Sequence, residues 1–305
     1  MNNHISHAAV AAAALALAGP GQATPTIRHI TYHGWANSLQ ISNRSVDLVY
    51  VPELGRIMRY GLVGGRNMLW VNPEMSGKHP DPKVKDWQNF GGDKLWPAPQ
   101  SVWKWPPDPV LDIGGVVATA EPTGHLLIRG KESGTSGIRF DRDISLDTVG
   151  TGVTIINTMV NTSALPVKWS VWEITQINDP DEMKLPLNPG GLFPTGYYSF
   201  PGATAEPSAV SVGADAVTLK RNPKAWYKVG SDSAAGSLTA DKAGLRISLS
   251  AGREPGDYPD EGCSLEIYTS PDPLKYVELE MLGPVRTIPA GQSITLTTHW
   301  KLGHI

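Results

Sequence analysis

The feature that most constrains this chain is a long succession of short apolar runs broken by glycine and proline. Ile138–Leu146 is typical: Ile138, Phe140, Ile144 and Leu146 alternate with Arg139, Asp141, Asp143 and Ser145. Side chains on a strand point to opposite faces in turn, so this pattern suits a strand with one buried face. Similar runs fall at Ser45–Val51, Gly115–Thr119, Leu126–Arg129, Val167–Ile177, Ala216–Lys220, Leu245–Leu249, Cys263–Thr269, Tyr276–Leu282 and Ser293–Leu302. Gly152–Asn161 alternates only loosely and reads as a strand buried on both faces. No long stretch keeps a helical period, and Pro73–Trp87 reads as a loop with a short helical turn. The 32 glycines and 26 prolines supply the turns between strands. The expected fold is therefore all-β, built from antiparallel sheets in a large sandwich.

The N-terminus carries a different signal. Ala8 to Ala18 is a short apolar run followed by Gly19, Pro20 and a small-residue site at Ala23. Residues 1–23 read as a secretory signal peptide and 24–305 as one domain. The run is too short to span a bilayer, so no membrane insertion is expected once the signal is removed. The protein is expected to be exported, to the periplasm or beyond the cell. Cys263 is the sole cysteine, which excludes an internal disulfide and reads as core filling. A net charge of -3 with no basic stripe gives no basis for nucleic-acid binding.

Ten tryptophans against four phenylalanines is an unusual balance. A flat indole suits the C–H face of a sugar ring, and its N–H can donate to a hydroxyl. Four of the ten lie in or just after one run, Trp87-Gln-Asn-Phe-Gly-Gly-Asp-Lys-Leu-Trp-Pro-Ala-Pro-Gln100, which Trp103 and Trp105 follow. Gly91 and Gly92 permit close backbone approach to a ligand. Asn89, Asp93, Lys94 and Gln100 add polar groups beside Trp87, Trp96, Trp103 and Trp105, a plausible sugar site. The expected partner is a sugar or oligosaccharide. No metal-ligand spacing, nucleophile elbow or phosphate loop is present, and no cofactor is expected. Asp257, Asp260 and Glu261 read as a solvated acidic turn rather than a calcium site.

These residues resemble the galactose mutarotase-like, or aldose 1-epimerase-like, superfamily, and within it an uncharacterised branch that carries the same NFGGDKLWPAPQ-type box. Leu54-Gly-Arg-Ile-Met-Arg-Tyr-Gly61 and Asn67-Met-Leu-Trp-Val-Asn-Pro73 look like the family's early strands. Asn89-Phe-Gly-Gly92 stands where a His-Gly-Gly turn is common, Asn161–Gln176 resembles the strand of the general-acid histidine, and Gly262–Tyr268 resembles that of the general-base glutamate. The resemblance implies a β-supersandwich, with Glu266 at the base position and Arg56, Trp172 and Gln176 among the ligand-binding residues. It places Trp172 where the acid histidine would stand, and an indole cannot serve as a general acid. His125, Glu173 and the carboxylates Glu278 and Glu280 are the other candidates for acid–base work. Three readings follow: a sugar-anomer isomerase using Glu266, a non-catalytic carbohydrate-binding protein, and a glycan lyase or hydrolase on the same scaffold.

Overall fold

The computed structural model describes residues 24–81, 83–202 and 207–305. The signal peptide expected at residues 1–23 lies outside the described residues. In chain order the strands are β1 (Thr26–Tyr32), β2 (Trp35–Ser42), β3 (Val46–Val51), β4 (Arg56–Leu62), β5 (Asp93–Ala98), β6 (Val117–Ala120), β7 (Leu126–Arg129), β8 (Ile138–Leu146), β9 (Val153–Asn161), β10 (Val167–Asn178) and β11 (Glu182–Pro186). They continue as β12 (Tyr198–Ser199), β13 (Val210–Val212), β14 (Ala216–Leu219), β15 (Tyr227–Ser231), β16 (Ser237–Lys242), β17 (Leu245–Ser250), β18 (Leu265–Thr269), β19 (Tyr276–Leu282), β20 (Arg286–Ile288) and β21 (Ser293–His304). The expected helical turn is a short 3-10 segment at Pro73–Met75. The four-residue helix α1 (Pro109–Asp112) is capped by Asp108, whose side chain accepts from the Val110 amide.

The strands form two sheets. One has eleven strands in the order β1-β2-β3-β4-β5-β10-β19-β18-β15-β12, with β20 also pairing β10. The other has ten, in the order β13-β14-β11-β16-β17-β21-β9-β8-β7-β6. The ladders between named strands are antiparallel, for example Ile138↔Asn161 through Leu146↔Val153 between β8 and β9. Alternation then does what the sequence implies. Ile138, Phe140, Ile144 and Leu146 of β8 and Val153, Ile155 and Met159 of β9 face the other sheet. Val171 and Ile177 of β10, Leu265 and Ile267 of β18, and Val277, Leu279 and Met281 of β19 meet them from the opposite side. Each such side chain taken fully out of water contributes roughly 1.5–3 kcal/mol.

Two expectations are corrected. β9 is buried on one face only: Ile156 is exposed and Thr154 half-buried, because the outer face of the ten-stranded sheet meets solvent. The box run, which carries no strand among the runs read from alternation, contains one: residues Asp93–Ala98 form β5, paired along its length with β10. A strand containing Pro97 is tolerated because β4 pairs with β5 only at Ile57↔Asp93, leaving the rest of β5 open on that side.

Between the sheets lies one polar cluster. Arg142 occupies an inward position of β8, and its Nη2 sits 2.6 Å from Asp93 Oδ1 and 3.2 Å from Glu173 Oε1. Its Nε donates to Asn157 Oδ1 at 2.8 Å, and Thr175 donates to Asp93 Oδ2 at 2.9 Å. One cation thus faces two buried carboxylates. Burial, reinforced by the charge of Asp93, pushes Glu173 up to about 8, so near neutral pH Glu173 holds a proton and Arg142 pairs chiefly with Asp93.

The native state therefore keeps a proton that the unfolded chain releases near its ordinary value of 4.5. That contribution is complete below this value and is lost as pH rises toward about 8. Glu173→Gln, which mimics the protonated side chain, should flatten the fall in urea-unfolding stability between these limits. An unchanged slope would show that Glu173 carries no native-state proton.

Candidate functional site

Five neighbouring strands, β5-β10-β19-β18-β15, present their other face away from the sandwich core. Alternation puts Lys94 and Trp96 of β5, Trp172 and Gln176 of β10, Glu278 and Glu280 of β19, Glu266 and Tyr268 of β18, and Lys228 of β15 on this face. Loops cover it, so β10 and β19 are buried on both sides over most of their length. What remains open is a cavity of about 920 Å³ bordered by Trp96, Trp103, Trp105, Trp172, Trp226, Lys228, Tyr268, Tyr276, Glu278 and Glu280. A second cavity of about 860 Å³, near Pro52, Val116 and Arg129, has no tryptophan and a single carboxylate, Glu53.

The charged groups of the floor form two sets. In the first, Lys94 Nζ lies 3.0 Å from Glu278 Oε1 and Gln176 Nε2 donates to the same oxygen at 2.9 Å. Both contacts use Oε1, which leaves Oε2 of this carboxylate for the cavity. Burial lowers the Lys94 pKa, with Glu278 opposing the shift. In the second set, Lys228 Nζ sits 2.5 Å from Glu266 Oε2 and 3.0 Å from Glu280 Oε2, and Trp172 Nε1 donates to Glu280 Oε2 at 2.7 Å. Glu266 and Glu280 stand directly opposite in register. Two like charges there would repel. Burial raises both pKa values, Lys228 pulls them down, and their mutual or neighbouring carboxylate charge raises them again. Burial and like charge thus both favour the protonated form of these two carboxyl groups, against the pull of Lys228. Burial disfavours the Lys228 ammonium, but Glu266 and Glu280 more than offset it and its pKa is raised.

The aromatic wall is held by one carboxylate. Asp112, at the end of α1, accepts from Arg56 Nη2 at 2.6 Å, Trp96 Nε1 at 2.8 Å and Trp87 Nε1 at 3.0 Å. Arg56 also donates to the Gly91 carbonyl at 2.8 Å. Around this anchor Trp96 meets Trp87, Trp103, Trp105 and Trp172 edge-to-face, at centroid distances of 5.6, 5.9, 6.0 and 5.5 Å. Each such pair adds about 0.5–1.5 kcal/mol beyond its buried area. The lysines sit over these rings: Lys94 is 5.0 Å from the Trp96 centroid and Lys228 4.8 Å from that of Trp172.

The structure thus sorts the residues proposed from sequence. Trp96, Trp172 and Glu278 border the cavity, with Lys94 and Gln176 behind Glu278. Glu266 lies on the same face but is fully buried behind Lys228, so of the three glutamates on this sheet face Glu278 and Glu280 reach the cavity. Trp96 and Trp172 are only 4% and 3% exposed, whereas Trp105 and Trp226 are 54% and 40% exposed. The open indole faces therefore belong to Trp105 and Trp226. The N–H groups of Trp87, Trp96, Trp103 and Trp172 are spent on protein acceptors rather than offered to a ligand.

Five residues lie away from the cavity. His125 lies beside β7 in the other sheet, paired with Asp143 at 2.8 Å. Asp93 points into the sandwich core toward Arg142, and Arg56 is consumed by Asp112 and Gly91. Asn89 is buried, its Oδ1 accepting from the Gly91 amide. Glu173 belongs to the core cluster. The Gly91–Gly92 pair approaches the protein's own backbone and not a ligand: both have positive φ, and a Cβ would meet the Trp70 or Ile57 carbonyl at 2.4 Å. Sequence reasoning missed Asp112, Lys228 and Trp226. The one available signal was an acid inside the apolar run Val110-Leu-Asp-Ile113. Among the described residues no group of three or more His, Cys, Asp or Glu could hold a metal, and no helix is long and apolar enough to cross a membrane.

Comparisons with known proteins place this architecture. A family model described as a domain of unknown function, DUF4380, matches residues 36–190. No curated protein matches. A galactose mutarotase-like protein from Clostridium acetobutylicum superposes with a TM-score of 0.58 at 10% identity, over 92% of this chain and 99% of that one. One from Lactobacillus casei gives 0.55 at 10% identity, over 87% and 100%. A TPR-domain containing protein from Parabacteroides distasonis gives 0.58 at 14% identity over 87% of this chain, which spans only 46% of that protein's length. At these identities the likeness is one of fold, and the fold is the galactose mutarotase-like sandwich.

Asp112→Ala would leave the Arg56 charge and two indole N–H groups buried without their partner. Urea unfolding should show a loss of about 3–5 kcal/mol, with a changed near-ultraviolet tryptophan dichroism. Wild-type stability and an unchanged spectrum would contradict the anchoring role.

Proposed function

The chain belongs to the DUF4380 family, and we propose that it binds a carbohydrate in the tryptophan-walled cavity and interconverts the anomers of a reducing sugar there. The observation that carries this reading is the pair Glu278 and Glu280, two residues apart on β19, both bordering the cavity and held in different states. Glu278 has one oxygen pinned by Lys94 and Gln176 and the other free. Glu280 is buried opposite Glu266, where burial and like charge favour a protonated carboxyl, and this reading gives Glu280 that proton. Anomer interconversion asks for this combination of a proton acceptor and a proton donor close together.

In the proposed reaction Glu278 Oε2 takes the proton of the anomeric hydroxyl. The electron pair left on that oxygen forms the carbonyl, the bond from the anomeric carbon to the ring oxygen breaks, and the ring oxygen takes the proton from Glu280. Rotation of the open aldehyde and the reverse steps give the other anomer and restore both carboxyl groups. Lys228 and Trp172, which contact Glu280 Oε2, hold that carboxyl while its proton moves. The catalytic glutamate assigned from sequence, Glu266, becomes a buried neighbour opposite Glu280, held by Lys228. Family likeness adds only a scaffold, since one scaffold hosts many activities.

A second reading, carbohydrate binding without catalysis, is favoured by one observation: the cavity is bordered by no histidine, and its floor carboxylates already contact lysines. Exchange NMR between the α and β anomeric protons of glucose, galactose and xylose separates the two. The isomerase reading predicts exchange accelerated by the protein and reduced about 100-fold or more in Glu278→Gln. Sugar binding without accelerated exchange would establish the second reading, and full activity in Glu278→Gln would remove Glu278 from the mechanism.

A further inference from the structure

The size of the cavity and the placement of its exposed rings bear on ligand length. A volume of about 920 Å³ corresponds to roughly thirty waters at about 30 Å³ each. A single hexose, with about a dozen non-hydrogen atoms, would displace well under half of that water.

The two open aromatic faces stand on opposite sides of the carboxylates. Trp105 follows β5 and packs edge-to-face on Trp87 and Trp96 at 5.3 and 6.0 Å. Trp226 immediately precedes β15 and stacks on Tyr268 of β18, centroids 6.2 Å apart with an interplanar angle of 25°. In sheet order β10 and β19, with Glu278 and Glu280, lie between these supports. Three to four strand spacings of about 4.8 Å separate β5 from β18 and β15, so the supports stand roughly 14–19 Å apart. One pyranose ring cannot lie against both. Among the described residues the lining contains one cation, Lys228, against Asp260, Asp272, Glu278 and Glu280, which disfavours an anionic glycan.

We infer that the ligand is a neutral oligosaccharide of several units, with Trp105 and Trp226 as two separate sugar platforms flanking the Glu278–Glu280 pair. The inference rests on the carbohydrate reading above and adds to it the length and charge class of the ligand. It makes the anomeric centre acted upon that of a chain end rather than of a free monosaccharide.

The test is calorimetric titration of the full chain with neutral gluco-, galacto-, manno- and xylo-oligosaccharides of one to four units. In the series that binds, affinity should rise about tenfold or more from one unit to three or four. Trp105→Ala and Trp226→Ala should each shrink that gain, as a platform serving a distant unit requires. A monosaccharide binding as tightly as its oligomers would overturn the inference while leaving carbohydrate binding intact. A gain that persists in both variants would also overturn it. Binding by no member of any series would instead overturn the carbohydrate reading itself.

Discussion

The site depends on one constraint: charges on a sheet face that is closed to water must be neutralised by neighbours on adjacent strands. Lys94 of β5 reaches Glu278 of β19 across β10, and Lys228 of β15 reaches Glu266 on the adjacent β18 and, across β18, Glu280 of β19. Removing one partner from such a pair typically costs about 3–5 kcal/mol, because the other is left buried and unpaired. The arrangement is therefore fixed before any ligand arrives. It also biases protonation, since burial and the opposed carboxylates raise the pKa values of Glu266 and Glu280 while Lys228 lowers them. Gly230 belongs to this constraint: it stands opposite Glu266 in register, and a Cβ there would lie 2.5 Å from Cys263 Sγ and 3.3 Å from Glu266 Cγ.

The same strands are charged on their other side. Asp93 and Glu173 face the core from β5 and β10 and close on Arg142 of the second sheet. The cavity floor is thus backed by a polar clamp between the sheets, and beside it Asp112 ties Arg56 to Trp87 and Trp96. With those indole N–H groups used internally, the inner tryptophans act as a rigid wall. The open faces of Trp105 and Trp226 and the polar groups of Glu278, Glu280 and Lys228 are what the cavity presents, and the proposed function assigns ligand contact to them.

The fold was legible where one face of a strand meets solvent, because there alternation survives in the sequence. β7 and β8 fall at the residues the pattern indicated. β5 was hidden by Pro97, Pro99 and the preceding glycines, which break the alternation although the strand is open on one side. β15 was hidden by its brevity and by Gly230, and with it went Lys228, the cation that reorders the site. Glu278 and Glu280 were legible as one strand face. Which carboxylate reaches the cavity was not, because that depends on where a lysine from a distant strand comes to rest. Asp112 was invisible for a similar reason: its three partners come from β4, from β5 and from the run before β5.

The central claim is that the carboxylates of β19, beneath the two open tryptophans, meet the ligand. A crystal structure of the protein with a bound neutral oligosaccharide tests it most directly. The account predicts sugar density in the tryptophan cavity, rings against Trp105 and Trp226, and a terminal anomeric hydroxyl within hydrogen-bonding reach of Glu278 Oε2. Sugar bound elsewhere with this cavity left empty, for instance beside Arg129 in the second cavity, would contradict it.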